Sequence, residues 1–120
     1  MKKRILFTGG SGKAGRHAVP WLVNAGYEVH NVDLVPLESP GVTNLTADIT
    51  DSGQMFNVLS MHRDFPDLDA GKGVQPFDAV VHFAAETHVD NALFDPEPFV
   101  HTNLVGTFTV LEAVRRHGVR

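Results

Sequence analysis

The stretch FTGGSGKAG, residues 7–15, sets glycines at positions 9, 12 and 15 directly behind the apolar run RILF. Glycine is conformationally costly to order and contributes no side-chain packing, so three at this spacing imply a turn whose backbone must approach something closely. The run before them, β-branched and aromatic, reads as a buried strand ending at Thr8. Behind them Ala14, Ala18, Val19, Leu22 and Val23 recur at helical spacings until Gly26 ends the run. Pro20 lies inside this helix and predicts a bend or a lost hydrogen bond. Strand, glycine turn and helix in immediate succession restrict the chain to α/β architectures.

The remaining pattern repeats that alternation. YEVHNVD, residues 27–33, is a second strand ending on a carboxylate, and VTNLTADI, residues 42–49, is a third that ends on Asp48. Met55, Val58, Leu59 and His62 mark a crossover helix over 51–62, and residues 63–76, rich in glycine, proline and aspartate, predict a surface excursion. FDAVVHFAA, residues 77–85, is nearly continuously apolar and predicts a parallel strand covered on both faces. Phe99, Asn103, Gly106, Val110 and Val114 trace a long final helix ending near Gly118. Right-handed crossovers then give a three-layer α/β/α sandwich with a parallel sheet of about four strands, ordered 3-2-1-4. A fifth strand is expected after the last helix, so the sheet reads as incomplete and as a candidate for completion by association.

Residues 1–120 are expected to form one unit, because a chain of 120 residues with 42% hydrophobic content supports one core and not two. Fourteen acidic against ten basic residues give a net charge of −4, with the basic clusters at opposite ends, which argues against a nucleic-acid partner. No stretch reaches the roughly 20 apolar residues of a membrane span, and the start of the chain lacks a signal peptide's apolar region. With no cysteine in the sequence, a cytoplasmic location is the expectation. Of the seven histidines, His17, His30, His62, His101 and His117 show no convergent ligand spacing that would compel a metal site, while His82 and His88, taken alone, are candidate bases or ligands; no metal site is expected.

If the turn holds a dinucleotide, the three glycines have separate tasks. Gly9 permits the tight turn, Gly12 removes a side chain facing the pyrophosphate, and Gly15 allows close packing of the helix. Backbone N–H groups from Ser11 to Ala14 would meet the diphosphate at the helix start, and Lys13 adds a point charge or points into water. The pattern gains specificity from context: it follows a strand, opens a helix, and has Asp33 at the end of the second strand, 24 residues beyond Gly9. A nucleotide triphosphatase loop needs a hydroxyl after the lysine, and this chain has Ala14 there. Asp33 can accept both adenosine ribose hydroxyls and would repel a 2′-phosphate, so NAD is expected over NADP. Asp48 fits two roles equally, an adenine contact alongside the Ile49 backbone or a cap for the following helix. His82, inside an apolar strand, reads as a hydrogen-bonded core residue; His88 is a candidate pocket residue.

TGGSGKAG at 8–15, Asp33, ADI at 47–49, HFAAETHVD at 82–90 and TNLVGTFTVLEA at 102–113 together resemble the extended short-chain dehydrogenase/reductases. Within them the likeness is to the NAD-dependent epimerase/dehydratase group acting on nucleotide sugars, most of all to the nucleotide-diphosphate-glucose 4,6-dehydratases and then the 4-epimerases. The resemblance implies that Asp48 and Ile49 hold the adenine and that Phe83, Ala84 and Ala85 line the cofactor where strand four ends. It also places Thr87 near nicotinamide and sugar, Thr102 at a cofactor contact, and Asn103 as a polar packing residue.

Three features depart from the group. Asn91 follows the HVD segment where the dehydratases usually carry arginine, and the spacer over 63–76 is unusual. The catalytic Tyr-x-x-x-Lys pair is missing, since the single tyrosine is Tyr27 and position 31 is asparagine. No catalytic residue is therefore assigned. The expectation is the NAD-binding part of a nucleotide-sugar epimerase or dehydratase, inactive alone and homodimeric, with a non-catalytic NAD-binding or self-associating module as the alternative.

Overall fold

A computed structural model describes residues 2–60, 77–86 and 89–119. The expected excursion over 63–76, together with His62, Thr87 and His88, lies outside the described residues. Four parallel strands form one sheet in the order β3-β2-β1-β4, as the alternating pattern predicts: β1 is Arg4–Thr8, β2 Glu28–Asp33, β3 Val42–Thr46 and β4 Ala79–His82. Leu6 pairs with His30 on one side and Val80 on the other, so β1 occupies the middle and all five of its residues are buried.

Alternation along β1 divides the core between the two faces of the sheet. Phe7 packs with Val19 and Val29 beneath helix α1, Gly15–Asn24. Leu6 joins Val32, Ile49, Met55, Leu59, Val110 and Ala113 on the opposite face, against helix α2, helical over 52–60, and the final helix. Phe7→Ala would remove a fully buried ring, a loss of about 3–5 kcal/mol.

Pro20 lies within α1 and has no N–H for the Arg16 carbonyl, while the helix continues to Asn24. It closes with Gly26 N–H on the Val23 carbonyl and Tyr27 N–H on the Leu22 carbonyl, at 3.1 Å each.

Both later strands stop earlier than their apolar runs. β3 ends at Thr46, not Asp48, because the Asp48 carboxylate accepts the Thr50 N–H at 2.9 Å and its hydroxyl at 2.7 Å and turns the chain. β4 covers only 79–82 of the expected 77–85; the Phe83 N–H still reaches the Thr8 carbonyl, but the Ala84 N–H bonds the Thr8 side chain instead. Coverage on both faces is also incomplete, since all four β4 residues are only half-buried and the strand is an edge among the described residues.

The connection after β4 contains a short helix α3, Val89–Phe94, that the apolar pattern did not single out. The long final helix is present but not uniform: α4, Glu97–Val100, widens into a π turn at His101–Val105 before α5, Gly106–His117. It ends at Gly118, whose φ of 64° is left-handed.

Candidate cofactor site

The glycine turn lies at the carboxyl ends of β1, β2 and β4, and its glycines answer to different neighbours. Gly9 has φ +76°, and a Cβ there would sit 2.6 Å from the Ala84 nitrogen, so the ends of β1 and β4 touch only because the position is bare. A Cβ on Gly15 would run into the Gly9 carbonyl oxygen and lie 2.7 Å from the Gly10 Cα, so this glycine seats α1 on the turn itself. Gly12 is different. Its φ is not in the left-handed region, a Cβ there would meet only the Gly9 oxygen at 3.3 Å, and the residue faces an open cleft. Internal packing requires Gly9 and Gly15; it demands little of Gly12.

Of the four amides expected to face an anion, two are engaged by the protein. Ser11 N–H donates to Asp33 Oδ2 at 3.1 Å, and Gly12 N–H to the Gly9 carbonyl at 3.1 Å. Those of Lys13 and Ala14 have no acceptor among the described residues, and α1 starts without a side-chain cap. Unpaired donors at the positive end of a helix attract an anion.

Asp33 is anchored from both sides, since its Oδ1 accepts the Leu34 N–H at 2.7 Å while Oδ2 holds Ser11. Each carboxylate oxygen keeps a second lone pair for a ligand. Beneath it lies a residue that sequence reasoning passed over. Asn31, fully buried in β2, accepts the Gly10 N–H at 2.8 Å and donates to Ser11 Oγ at 3.2 Å and to Asn44 Oδ1 at 3.1 Å. Asn44 in turn exchanges bonds of 2.9 Å with the backbone of Leu37, and Ser11 Oγ donates to the Val35 carbonyl at 2.6 Å. The glycine turn and the loop after β2 are thereby fixed to each other. An asparagine amid the apolar residues of YEVHNVD was the available signal.

Asp33, Asp48, Ile49, Ala84, Ala85 and Thr102 line one cleft of about 220 Å3, together with Val32, Leu34, Ala47 and Glu86, which the sequence did not single out. An adjoining cavity of about 430 Å3 shares Gly9, Gly12, Phe83 and Ala85 with it and adds Lys13, Ala14 and Gly15. Ser11 acts from behind, through Asp33, and Thr87 lies outside the described residues.

Asp48 is not the cap of α2. Asp51 holds that place, accepting the Gln54 N–H at 3.0 Å, while Gln54 Oε1 accepts the Asp48 N–H at 2.8 Å. The Thr50 hydroxyl and N–H hold the Asp48 carboxyl below its ordinary pKa, so it is ionised well into acid. The π turn bears Thr102 at the cleft and Asn103 beside it, where Asn103 accepts the Glu86 N–H at 2.8 Å and donates to the Glu86 carbonyl at 3.0 Å. His82 is hydrogen-bonded at both ring nitrogens, as expected, but is half-buried and not a core residue. Among the described residues no cluster of three or more His, Asp or Glu side chains could hold a metal.

A parallel sheet whose first strand runs through a glycine turn into a helix, with a carboxylate at the end of the next strand, defines a Rossmann-type nucleotide-binding unit. A family model described as GDP-mannose 4,6 dehydratase matches residues 6–120, and the chain belongs to that family, among the NAD-dependent nucleotide-sugar epimerases and dehydratases. It is 46% identical over 118 residues to a dTDP-glucose 4,6-dehydratase of Mycobacterium tuberculosis, covering 98% of this chain and 34% of that protein. A UDP-glucose 4-epimerase of Bacillus subtilis is 33% identical over 116 residues, covering 97% and 34%. Among solved structures, the UDP-glucose 4-epimerase of Thermus thermophilus in complex with NAD superposes with a TM-score of 0.80 at 29% identity, over 98% of this chain and 35% of that one. The chain thus spans about a third of the length of the relatives it matches.

Proposed function

We propose that the chain is the NAD-binding portion of a nucleotide-sugar epimerase or dehydratase, with the cofactor lying across the carboxyl ends of β1, β2 and β4. The observation that carries this reading is the bare, cleft-facing Gly12 beside the N–H groups of Lys13 and Ala14, which have no acceptor among the described residues. These amides receive the diphosphate, with Lys13 adding positive charge at the rim. Asp33 accepts the adenosine ribose hydroxyls and disfavours a 2′-phosphate by charge repulsion. Asp48, kept ionised by Thr50, and the Ile49 backbone meet the adenine, while Phe83, Ala84, Ala85 and Thr102 border the ribose and diphosphate.

When bound, NAD supplies a hydride acceptor for a sugar carbon. Removal of the sugar hydroxyl proton needs a base that these residues do not provide, because Tyr27 is the single tyrosine and no Tyr-x-x-x-Lys pair is present. The isolated chain therefore binds and does not turn over, which also accommodates a purely NAD-binding module. Self-association into a homodimer is supported by Leu104, Phe108 and Leu111, exposed by 67%, 65% and 62%. No described helix is long and apolar enough to cross a membrane, and the absence of cysteine suits the cytoplasm.

Calorimetric titration with NAD and NADP tests the assignment of Asp33. NAD is expected to bind tighter, and Asp33→Asn to narrow the preference by about tenfold. Equal affinities for the two cofactors in the unaltered chain would remove Asp33 from the site, and measurable epimerase or dehydratase turnover by the single chain would overturn its inactivity.

A further inference from the structure

His82 connects three elements without touching the cleft. Its Nδ1 lies 2.7 Å from Thr8 Oγ1 at the end of β1, and its Nε2 lies 3.1 Å from Thr107 Oγ1 on α5. The direction of these bonds follows from counting hydrogens. Thr8 Oγ1 already accepts the Ala84 N–H at 3.2 Å, and Thr8 is completely buried, so its own hydroxyl hydrogen needs an acceptor. His82 Nδ1 is the acceptor at hand. Nε2 must then carry the ring hydrogen and donate it to Thr107. The result is one directed relay: Ala84 N–H to Thr8, Thr8 hydroxyl to His82 Nδ1, His82 Nε2–H to Thr107.

From this relay we infer that His82 is a positioning residue for the cofactor cleft, acting as the neutral Nε2–H tautomer to hold Ala84 in place through Thr8. The inference rests on the NAD-binding reading above, and its consequence is specific to protonation. A second ring hydrogen on Nδ1 would face the Thr8 hydroxyl hydrogen, which would have to rotate away within a buried site, and Thr8 would have to serve the ring and the Ala84 amide with the same oxygen. Ala84 lines the cleft, and its nitrogen is close enough to Gly9 that no side chain fits between them. A shift at Ala84 is therefore transmitted to the glycine turn. Of the described elements packed against the ring, β1 presents Thr8 and α5 presents Thr107, both uncharged; burial is the cause that pulls the His82 pKa below its ordinary value.

The test combines imidazole nitrogen NMR and calorimetric NAD titration on the whole chain, between about pH 5 and pH 7.5, spanning the ordinary histidine range. The expected results are an Nε2–H tautomer for neutral His82, an Ala84 amide signal that moves as His82 protonates, and NAD affinity that falls about fivefold with the same midpoint. His82→Gln should abolish that pH step. Should this variant fail to fold, Thr8→Val, which also removes the link, is expected to bind NAD about fivefold more weakly at neutral pH without the step, while Thr8→Ser restores wild-type behaviour. An Nδ1–H tautomer, an Ala84 amide indifferent to His82, or a pH step that survives in His82→Gln or Thr8→Val would overturn the proposal. A folded chain that binds no NAD at any pH removes the functional reading instead, and the tautomer and the Ala84 amide still decide the relay.

Discussion

The same three strands end in opposite ways. At their amino ends, Arg4 Nε donates to Glu28 at 3.2 Å, His30 Nε2 reaches the same Glu28 oxygen at 2.8 Å, and the Arg4 guanidinium lies 5.0 Å from the Phe77 ring centre. Backbone and side chain of Asp78 close the edge, each within 2.7 Å of the Arg4 backbone. At their carboxyl ends, β1 runs into bare glycine, β2 into the half-exposed Asp33 and β4 into Phe83, Ala84 and Ala85, with two amides unpaired among the described residues. At the first end Arg4, Glu28, His30 Nε2 and Asp78 bond to one another; at the second the polar groups retain capacity beside open space. The contrast separates residues that hold the sheet from residues that face a ligand, and the substitutions below probe it from both sides.

The largest effect is expected where the glycine turn is itself packed. Gly15→Val forces a side chain into the Gly9 carbonyl and the Gly10 backbone and should destabilise by roughly 3 kcal/mol or more, or prevent folding, as read by thermal denaturation. Asn31→Leu keeps the branched shape but is larger and leaves the Gly10 N–H without its acceptor, so overpacking of this buried position adds to the lost hydrogen bond, at about 1–3 kcal/mol for each. Faster hydrogen exchange at Gly10 and weaker NAD binding should accompany it; unchanged exchange at Gly10 would mean the turn is held by other contacts.

The smallest effect lies at the amino ends. Burial, only partly opposed by the Glu28 hydrogen bond, keeps the His30 pKa below its ordinary value, so below about pH 6.5 the unfolded chain binds more protons than the folded one. This contribution is complete above that pH and is lost as pH falls through the lower folded value. His30→Gln should flatten the slope of stability against pH in that window, by less than about 1 kcal/mol, while leaving NAD affinity at neutral pH unchanged. For Glu28, burial raises the pKa, but the His30 hydrogen bond and the Arg4 charge outweigh it, and the carboxylate remains ionised in the same window.

The parallel sheet was legible because apolar runs alternate with helical spacings, and the order 3-2-1-4 was the expected one of the few that right-handed crossovers allow. Strand ends were not legible, because single side chains set them: the Asp48 carboxylate bends the chain after Thr46, and the Thr8 hydroxyl takes the Ala84 amide off the ladder. Gly9, Gly12 and Asp33 were legible in the cleft from their own spacing, whereas Phe83, Ala84, Ala85 and Thr102 were reached only through the family resemblance. Asn31 was not legible, since an isolated asparagine in a strand reveals neither the turn it supports nor the partner strand it crosses to. The π turn at His101–Val105 likewise has no periodic signature, because TNLVGT reads as ordinary helix until Asn103 is seen on the Glu86 backbone.

The most direct test is calorimetric titration of NAD into the wild-type chain and into Gly12→Val, with thermal denaturation of both. The Cβ of a residue at position 12 would meet only the Gly9 carbonyl oxygen, at a tight 3.3 Å, so the variant should still fold, at a cost of about 1–3 kcal/mol, yet bind NAD roughly a hundredfold more weakly. Equal NAD affinity in a folded Gly12→Val chain would contradict the account, because the diphosphate could not then lie against the glycine turn.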